Sequence, residues 1–315
     1  MNYLLSIFCL ICTACASILP SNSLAYITNQ GDNTVSVINI IEAKVISTIA
    51  VGKAPVGVAV SHTLHRVFIT NVDSQTISVI DSNTQKVVDT ITIKGSPVGI
   101  AIAPNSQTLY VADWFSDRVI AIDTANYLAQ KEVTVEKAPA GLVLSPNSKT
   151  LYVAARDTNE IAVIDAATLK VSKKISVGKH PFGIYLSHDG SMLYAVNVYD
   201  NSVSIINTQT WAQSQVKVGD HPYCVVASTD NKTLYVTNTL DDTLAVIDIA
   251  SQQVITNIKV GETPEGIAYD AASNRVLTAS WGSNNVTIID ANSYKVISKV
   301  KTGNKSRAFG NFILQ

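Results

Sequence analysis

The stretch LYVTNTLDDTLAVID, residues 234–248, decides the fold. Leu234–Asn238 and Thr243–Asp248 are short runs rich in β-branched and apolar residues, split by a turn that carries Asp241 and Asp242. That is how two adjoining strands look in sequence. Moving outward, its closing VID returns along the whole chain. VINI at Asn39, VIDS at Asp81, AIDT at Asp123, VIDA at Asp165, IINT at Asn207, VIDI at Asp248 and IIDA at Asp290 stand 42, 42, 42, 42, 41 and 42 residues apart. Tyr26, Phe68, Tyr110, Tyr152, Tyr194, Tyr235 and Leu277 advance by the same steps. A third series, Pro-x-Gly, runs through Pro55, Pro97, Pro139, Pro181 and Pro264, with Pro222-Tyr-Cys224 and Ser306-Arg-Ala308 as degenerate copies. Three registers that agree over seven units make this a repeat protein.

Each unit holds four short strands separated by Gly, Asn, Asp and Ser; in one copy they fall at 98–103, 108–113, 118–123 and 131–136. No stretch keeps the 3.6-residue period of an amphipathic helix. Four strands in about 42 residues is the signature of a propeller blade. The expectation is therefore all-β: one seven-bladed β-propeller of four-stranded antiparallel blades, spanning residues 17–315. The recurring residues have physical tasks. Asp or Asn after the third strand accepts a backbone N–H two residues on and turns the chain. The Tyr ring presses on the next blade. Pro suits the start of an innermost edge strand, and Gly two residues later lets seven backbones crowd the axis. The chain begins on a blade's second strand, LAYIT, and ends on a first strand, AFGNFIL at 308–314. The C-terminal strand is expected to pair with residues 24–29 and close the ring, which removes open edges.

YITN at Tyr26, FITN at Phe68 and YVTN at Tyr235 resemble the repeat that names the YVTN β-propeller family, and the blade frame covers residues 25–315. Similar repeats occur in microbial surface-layer proteins and exported bacterial propellers, and more distantly in seven-bladed lactonases and quinoprotein subunits. The resemblance implies fold and is nearly silent about function. Asp113, Ala155 and Ser280 stand where the pattern has Asn.

Composition narrows the function classes. Charged residues are 15% and hydrophobic residues 47%, with a formal net charge of -1. Average globular chains carry about 25% charge, so disorder is excluded, and duplex DNA or an anionic membrane would select a far more basic surface. Residues 4–12, LLSIFCLIC, are an apolar run too short for a transmembrane span, followed by Ala14-Cys15-Ala16. This resembles a signal peptide over residues 1–16, with export to the periplasm, cell surface or exterior as its consequence. Thr13-Ala14-Cys15 also resembles the end of a lipobox, which makes Cys15 a candidate lipid anchor. Beyond the signal Cys224 is the single cysteine, so no internal disulfide is expected.

In this fold the loops from fourth to first strands share a face with the loops from second to third strands, here called the upper face. The residue inside Pro-x-Gly runs Val56, Val98, Ala140, Phe182, Tyr223, Glu265 and Arg307. Half the ring is small and half is aromatic or charged. Trp114, Phe115, Arg118, Arg156, Tyr199 and Trp281 are blade-specific departures in the other loops. Phe182, Tyr223, Glu265 and Arg307, rimmed by Trp114, Arg156 and Trp281, are the candidate site for a protein, peptide or small molecule. A local Glu265–Arg307 ion pair is the structural alternative.

His180 and His221 precede Pro in adjacent loops and are weak metal candidates, with Cys224, Asp200, Asp220 or Glu265 as further ligands. His62, His65 and His188 fall in lower-face turns. Nucleophile-elbow, zincin, dinucleotide, P-loop and haem-attachment motifs are all missing. The expectation is a non-enzymatic binding or scaffold protein with no cofactor. A lactonase-like hydrolase with a metal or an acidic pair at the mouth (Asp241 and Asp242, or Glu262 and Glu265) is the alternative. Single-stranded nucleic acid stacked on Trp114, Phe115 and Trp281 is a third reading.

Overall fold

The computed structural model describes residues 23–315. The expected signal peptide, the candidate anchor Cys15 and the start at residue 17 lie outside the described residues. Seven sheets, antiparallel apart from one short parallel pairing, are arranged in a ring, and each blade's outermost strand leads into the innermost strand of the next. The second blade is typical, with strands Pro55–Ser61, Arg66–Asn71, Thr76–Asp81 and Lys86–Thr92. Burial falls from the inner three strands to the fourth, which is exposed except at half-buried Val87 and buried Ile91. No helix among the described residues is long and apolar enough to cross a membrane.

The repeated residues do what their chemistry allows. Tyr26, Phe68, Tyr194 and Tyr235 are buried between blades. Asp81 Oδ1 accepts the N–H groups of Asn83 and Thr84, and Asp165, Asn207, Asp248 and Asp290 hold the corresponding turns. The Asn that closes YVTN is a clamp. Asn71 Nδ2 donates to Thr76 Oγ1 and Ser78 Oγ across the sheet, and Asn197 does the same to Ser202 and Ser204. A Cβ on Gly52 would lie 2.6 Å from Asn71 Cγ, and one on Gly178 would lie 2.5 Å from Asn197 Cγ. The loop glycine and the Asn are therefore one packing unit. Where Asn becomes Ala155 the glycine becomes Glu136. Where it becomes Asp113, Arg118 supplies the counter-charge at 3.0 Å.

At the axis, a Cβ on Gly99 would stand 2.0 Å from the Ala140 carbonyl oxygen of the next blade, and one on Gly141 2.5 Å from that of Phe182. Inner strands approach too closely there for a side chain.

Closure differs in detail from the single strand expected. Arg307 and Ser306 pair with Thr28 and Asn29, and Leu314 and Ile313 pair with Leu24 and Ala25. Between them the chain leaves this blade, and Phe309–Gly310 pairs parallel with Gly57 and Val58 of the second blade. Gly310 makes the detour possible at φ +112, where its missing Cβ leaves the Val58 carbonyl room. Phe312 returns fully buried, and its carbonyl accepts the Tyr26 N–H. One fourth strand is displaced too. It occupies Ala129–Thr134 rather than 131–136, and it meets the third strand through a bulge at Ala121/Ile122 that recurs at the equivalent place in five other blades.

Candidate functional site

Both loop sets lie on one face and are hydrogen-bonded to each other. Val72 N–H donates to the Ala54 carbonyl, Tyr199 to Lys179, Leu240 to Asp220 and Trp281 to Thr263. A second clamp ties neighbouring blades: Asn159 Oδ1 accepts the N–H of His180, Asn201 that of His221, and Asp242 that of Thr263. Both histidines therefore owe their backbone position, at φ 54 and 51, to the scaffold.

The four inner candidates converge and engage one another. Phe182 and Tyr223 lie 4.1 Å apart between ring centroids, and Phe309 joins them at 4.9 and 6.5 Å. Arg307 Nη2 donates to the Tyr223 hydroxyl at 2.8 Å and lies 2.5 Å from Glu265 Oε2. The latter is an ionic contact whose angles fall outside hydrogen-bond geometry, so Glu265 Oε2 and Arg307 Nε keep unfilled hydrogen-bonding capacity. The two side chains are only 13% and 14% exposed. Burial pushes the Glu265 carboxyl above its ordinary range against the pull of Arg307. Burial also opposes the Arg307 charge, but Tyr223 and Glu265 outweigh it and hold the guanidinium firmly protonated. The Tyr223 phenol and the Cys224 thiol are both raised by burial and stay neutral. This cluster stoppers the upper end of the axial channel.

The rim residues join the same network. Trp114 packs on Phe182 at 5.8 Å, and the Arg156 guanidinium lies 5.5 Å over Trp114. Trp281 Nε1 donates to Gln30 Oε1 at 3.2 Å, and Arg307 Nη1 reaches the same oxygen at 3.4 Å. All seven candidate residues thus form one contiguous assembly, completed by Gln30 and Phe309. Those two were overlooked, although Gln30 departs from its repeat position as plainly as Trp114 does. Around the assembly, Phe115 is 78% exposed, Tyr199 55% and Leu240 60%.

Other candidates have structural partners. Arg118 bonds Asp113, Glu132 and the Lys94 carbonyl. Asp241 Oδ2 accepts the Asp220 N–H, and Asp242 is a loop clamp. Tyr199 stands between the two histidines, stacked on His180 at 4.1 Å and edge-on to His221 at 5.7 Å. Burial and the Arg156 charge lower the His180 pKa. Among the described residues no three or more His, Cys, Asp or Glu side chains form a metal-holding group. His62 lies at the lower face, its Nδ1 sharing a hydrogen bond with the Gln315 carbonyl.

A family model described as a YNCE-like β-propeller matches residues 187–258, on a ring of seven YVTN-patterned blades. The chain is a YVTN-type seven-bladed propeller. A second family model, the cytochrome D1 heme domain, matches residues 56–190 of this YVTN-type propeller. Among solved structures it is similar to the hydrazine synthase of Kuenenia stuttgartiensis, with a TM-score of 0.79 at 19% identity over 86% of this chain and 93% of that one. It is similar also to a functionally unknown protein from Desulfotomaculum acetoxidans DSM 771, with a TM-score of 0.77 at 17% identity over 91% and 99%. At those identities the likeness is one of fold. Among curated proteins none matches this YVTN-type propeller.

Proposed function

We propose that the propeller is a non-enzymatic binding protein of the cell envelope or exterior, and that a protein or peptide partner seats on the rim of its upper face. One observation carries this reading. Phe115, Tyr199 and Leu240 stand exposed on second-to-third-strand turns of three blades, with Arg156 on the blade between. Exposed apolar side chains held on rigid, mutually bonded loops are what a partner's hot spots need. The inner cluster supports them from beneath. Its groups are engaged with one another, so its role is to brace Trp114 and Trp281. Export rests on the apolar run at residues 4–12 and the small residues after it.

The hydrolase alternative loses ground because Asp241 and Asp242 hold loop backbones and Glu265 faces Arg307. The haem named in one matching family fits poorly. Phe182, Tyr223 and Phe309 fill the upper axis, and no histidine lines the cavity beneath them.

The test begins with a partner recovered from envelope extract on immobilised protein, identified, and then purified. Titrated against the triple variant Phe115→Ser/Tyr199→Ser/Leu240→Ser, it should bind about tenfold or more weakly than to the parent, since one buried anchor commonly contributes about 2 kcal/mol. Equal affinity for the two would overturn the reading.

A further inference from the structure

Beneath the ring stopper lies an axial cavity of about 360 Å³, within the size range of pockets that enclose small ligands. Its level is set by the fourth residue after each Pro-x-Gly proline position. Six copies are small there, namely Ala59, Ala101, Val143, Val226, Ala268 and Gly310, and all six line the cavity. The seventh is Tyr185, which also lines it. No described residue hydrogen-bonds the Tyr185 hydroxyl, and burial raises its pKa, so it is a neutral phenol. The Tyr185 ring packs on the neighbouring hydrophobic cluster, as does that of Tyr269, while its hydroxyl is left for a guest.

The cavity is closed above and open below. Buried Phe309 lines it and packs against buried Phe182, whereas Ile102, Val143, Tyr185 and Tyr269 near the lower end keep partial exposure. Its lining contains no Asp, Glu, Lys, Arg or His. A charged molecule would lose its hydration there and gain no counter-ion. Except at Gly57 and Val58, which pair with Phe309 and Gly310, the inner strands pair on one side only, so backbone N–H and C=O groups also face the axis. Apolar walls with scattered neutral donors and acceptors select one kind of guest.

We infer that the axial cavity is a second binding site, separate from the rim and reached from the lower face, for a small neutral aromatic molecule whose polar group bonds the Tyr185 hydroxyl. Specificity comes from the exclusion of charge and from the stopper, which sets the depth.

A matched pair of fluorescent probes tests this on the purified full chain. N-phenyl-1-naphthylamine is neutral; 1-anilinonaphthalene-8-sulfonate is the same skeleton with a sulfonate. The neutral probe should bind 1:1 with enhanced, blue-shifted emission, and the sulfonate at least about tenfold more weakly. Ala101→Phe places a ring in the cavity and should abolish the signal. Tyr185→Phe removes only the hydroxyl and should weaken binding about threefold to tenfold, the worth of one hydrogen bond. It keeps the test decisive if Ala101→Phe fails to fold. The rim triple variant should bind the neutral probe as the parent does. The inference is overturned by no enhancement with the neutral probe, by equal binding of the sulfonate, or by a signal unchanged in Tyr185→Phe. Loss of the signal in the rim triple variant overturns it too, because the probe would then be reporting the rim.

Discussion

Replacing Arg307 with alanine should destabilise the propeller rather than merely blunt a binding surface. The guanidinium is the common partner of Glu265, Tyr223 and Gln30, and both members of the ion pair are largely buried. Removing one partner of a buried pair costs about 3–5 kcal/mol, because the remaining charge stays desolvated. Residual exposure of the pair argues for the lower end. With about 2.1 cal/mol/K of unfolding entropy per residue, about 3 kcal/mol corresponds to a drop of about 5 °C in Tm for a ring of this size. The effect carries a pH signature. In the parent the Glu265 carboxyl already titrates above its ordinary 4.5 because of burial. A group raised in the folded state contributes stability that is complete below its unfolded pKa and lost as pH rises through the folded one. Without Arg307 that folded pKa climbs further, so the variant should lose more stability between pH 4.5 and neutrality than the parent does. Glu265→Gln in the same background should recover much of the loss at pH 7. Differential scanning fluorimetry from pH 4 to 8 reads all three proteins. A Tm for Arg307→Ala within about 1 °C of the parent at pH 7 would refute the buried-pair account.

Three further outcomes follow from the same contacts. Phe312→Ala, which empties a fully buried site in the closing segment, should cost about 3–5 kcal/mol by urea denaturation; a loss under about 1 kcal/mol would mean the ring is held elsewhere. Gly52→Ala forces a Cβ to 2.6 Å from Asn71 Cγ and should cost about 1–3 kcal/mol alone, but distinctly less in an Asn71→Ala background, so additivity in that double-mutant cycle would deny the coupling. Asp189 is held down to about 2 by the Ser187 and Ser191 hydroxyls and the Ser191 N–H, so its contribution is present above 3.8 and lost as pH falls toward 2. Asp189→Ala should accordingly lower Tm at neutral pH and flatten the acid limb, whereas an unchanged acid limb would assign it to other carboxylates.

The ring was legible in the sequence because a blade cannot bury its faces alone, so most copies keep an aromatic ring, an Asp or Asn and a Gly for the same contacts. Tyr26, Asp81 and Gly99 perform the tasks their repetition implied. The shared upper face was legible for the same reason. What escaped was local. The parallel detour at Phe309–Gly310 occurs once and leaves no periodic mark, and the bulge at Ala121/Ile122, though it recurs in six blades, depends on backbone geometry that no residue type announces. The candidate site was half legible. Departures from the repeat picked out Phe182, Tyr223, Glu265 and Arg307, but a departure does not say whether a side chain meets a ligand or another departure. These four meet one another. Phe309 escaped because it occupies an ordinary apolar position, and only the detour brings its ring across the axis to Phe182.

The most direct test of the rim as the working surface is a hydrogen–deuterium exchange footprint of the propeller bound to the partner recovered from envelope extract. Protection confined to the upper turns at 113–117, 156–159, 198–201 and 239–242, with the lower turns at 62–65, 146–149 and 188–191 exchanging as in the free protein, is the expected result. Protection of the lower turns with the upper ones unchanged would place the partner on the opposite face and contradict the account.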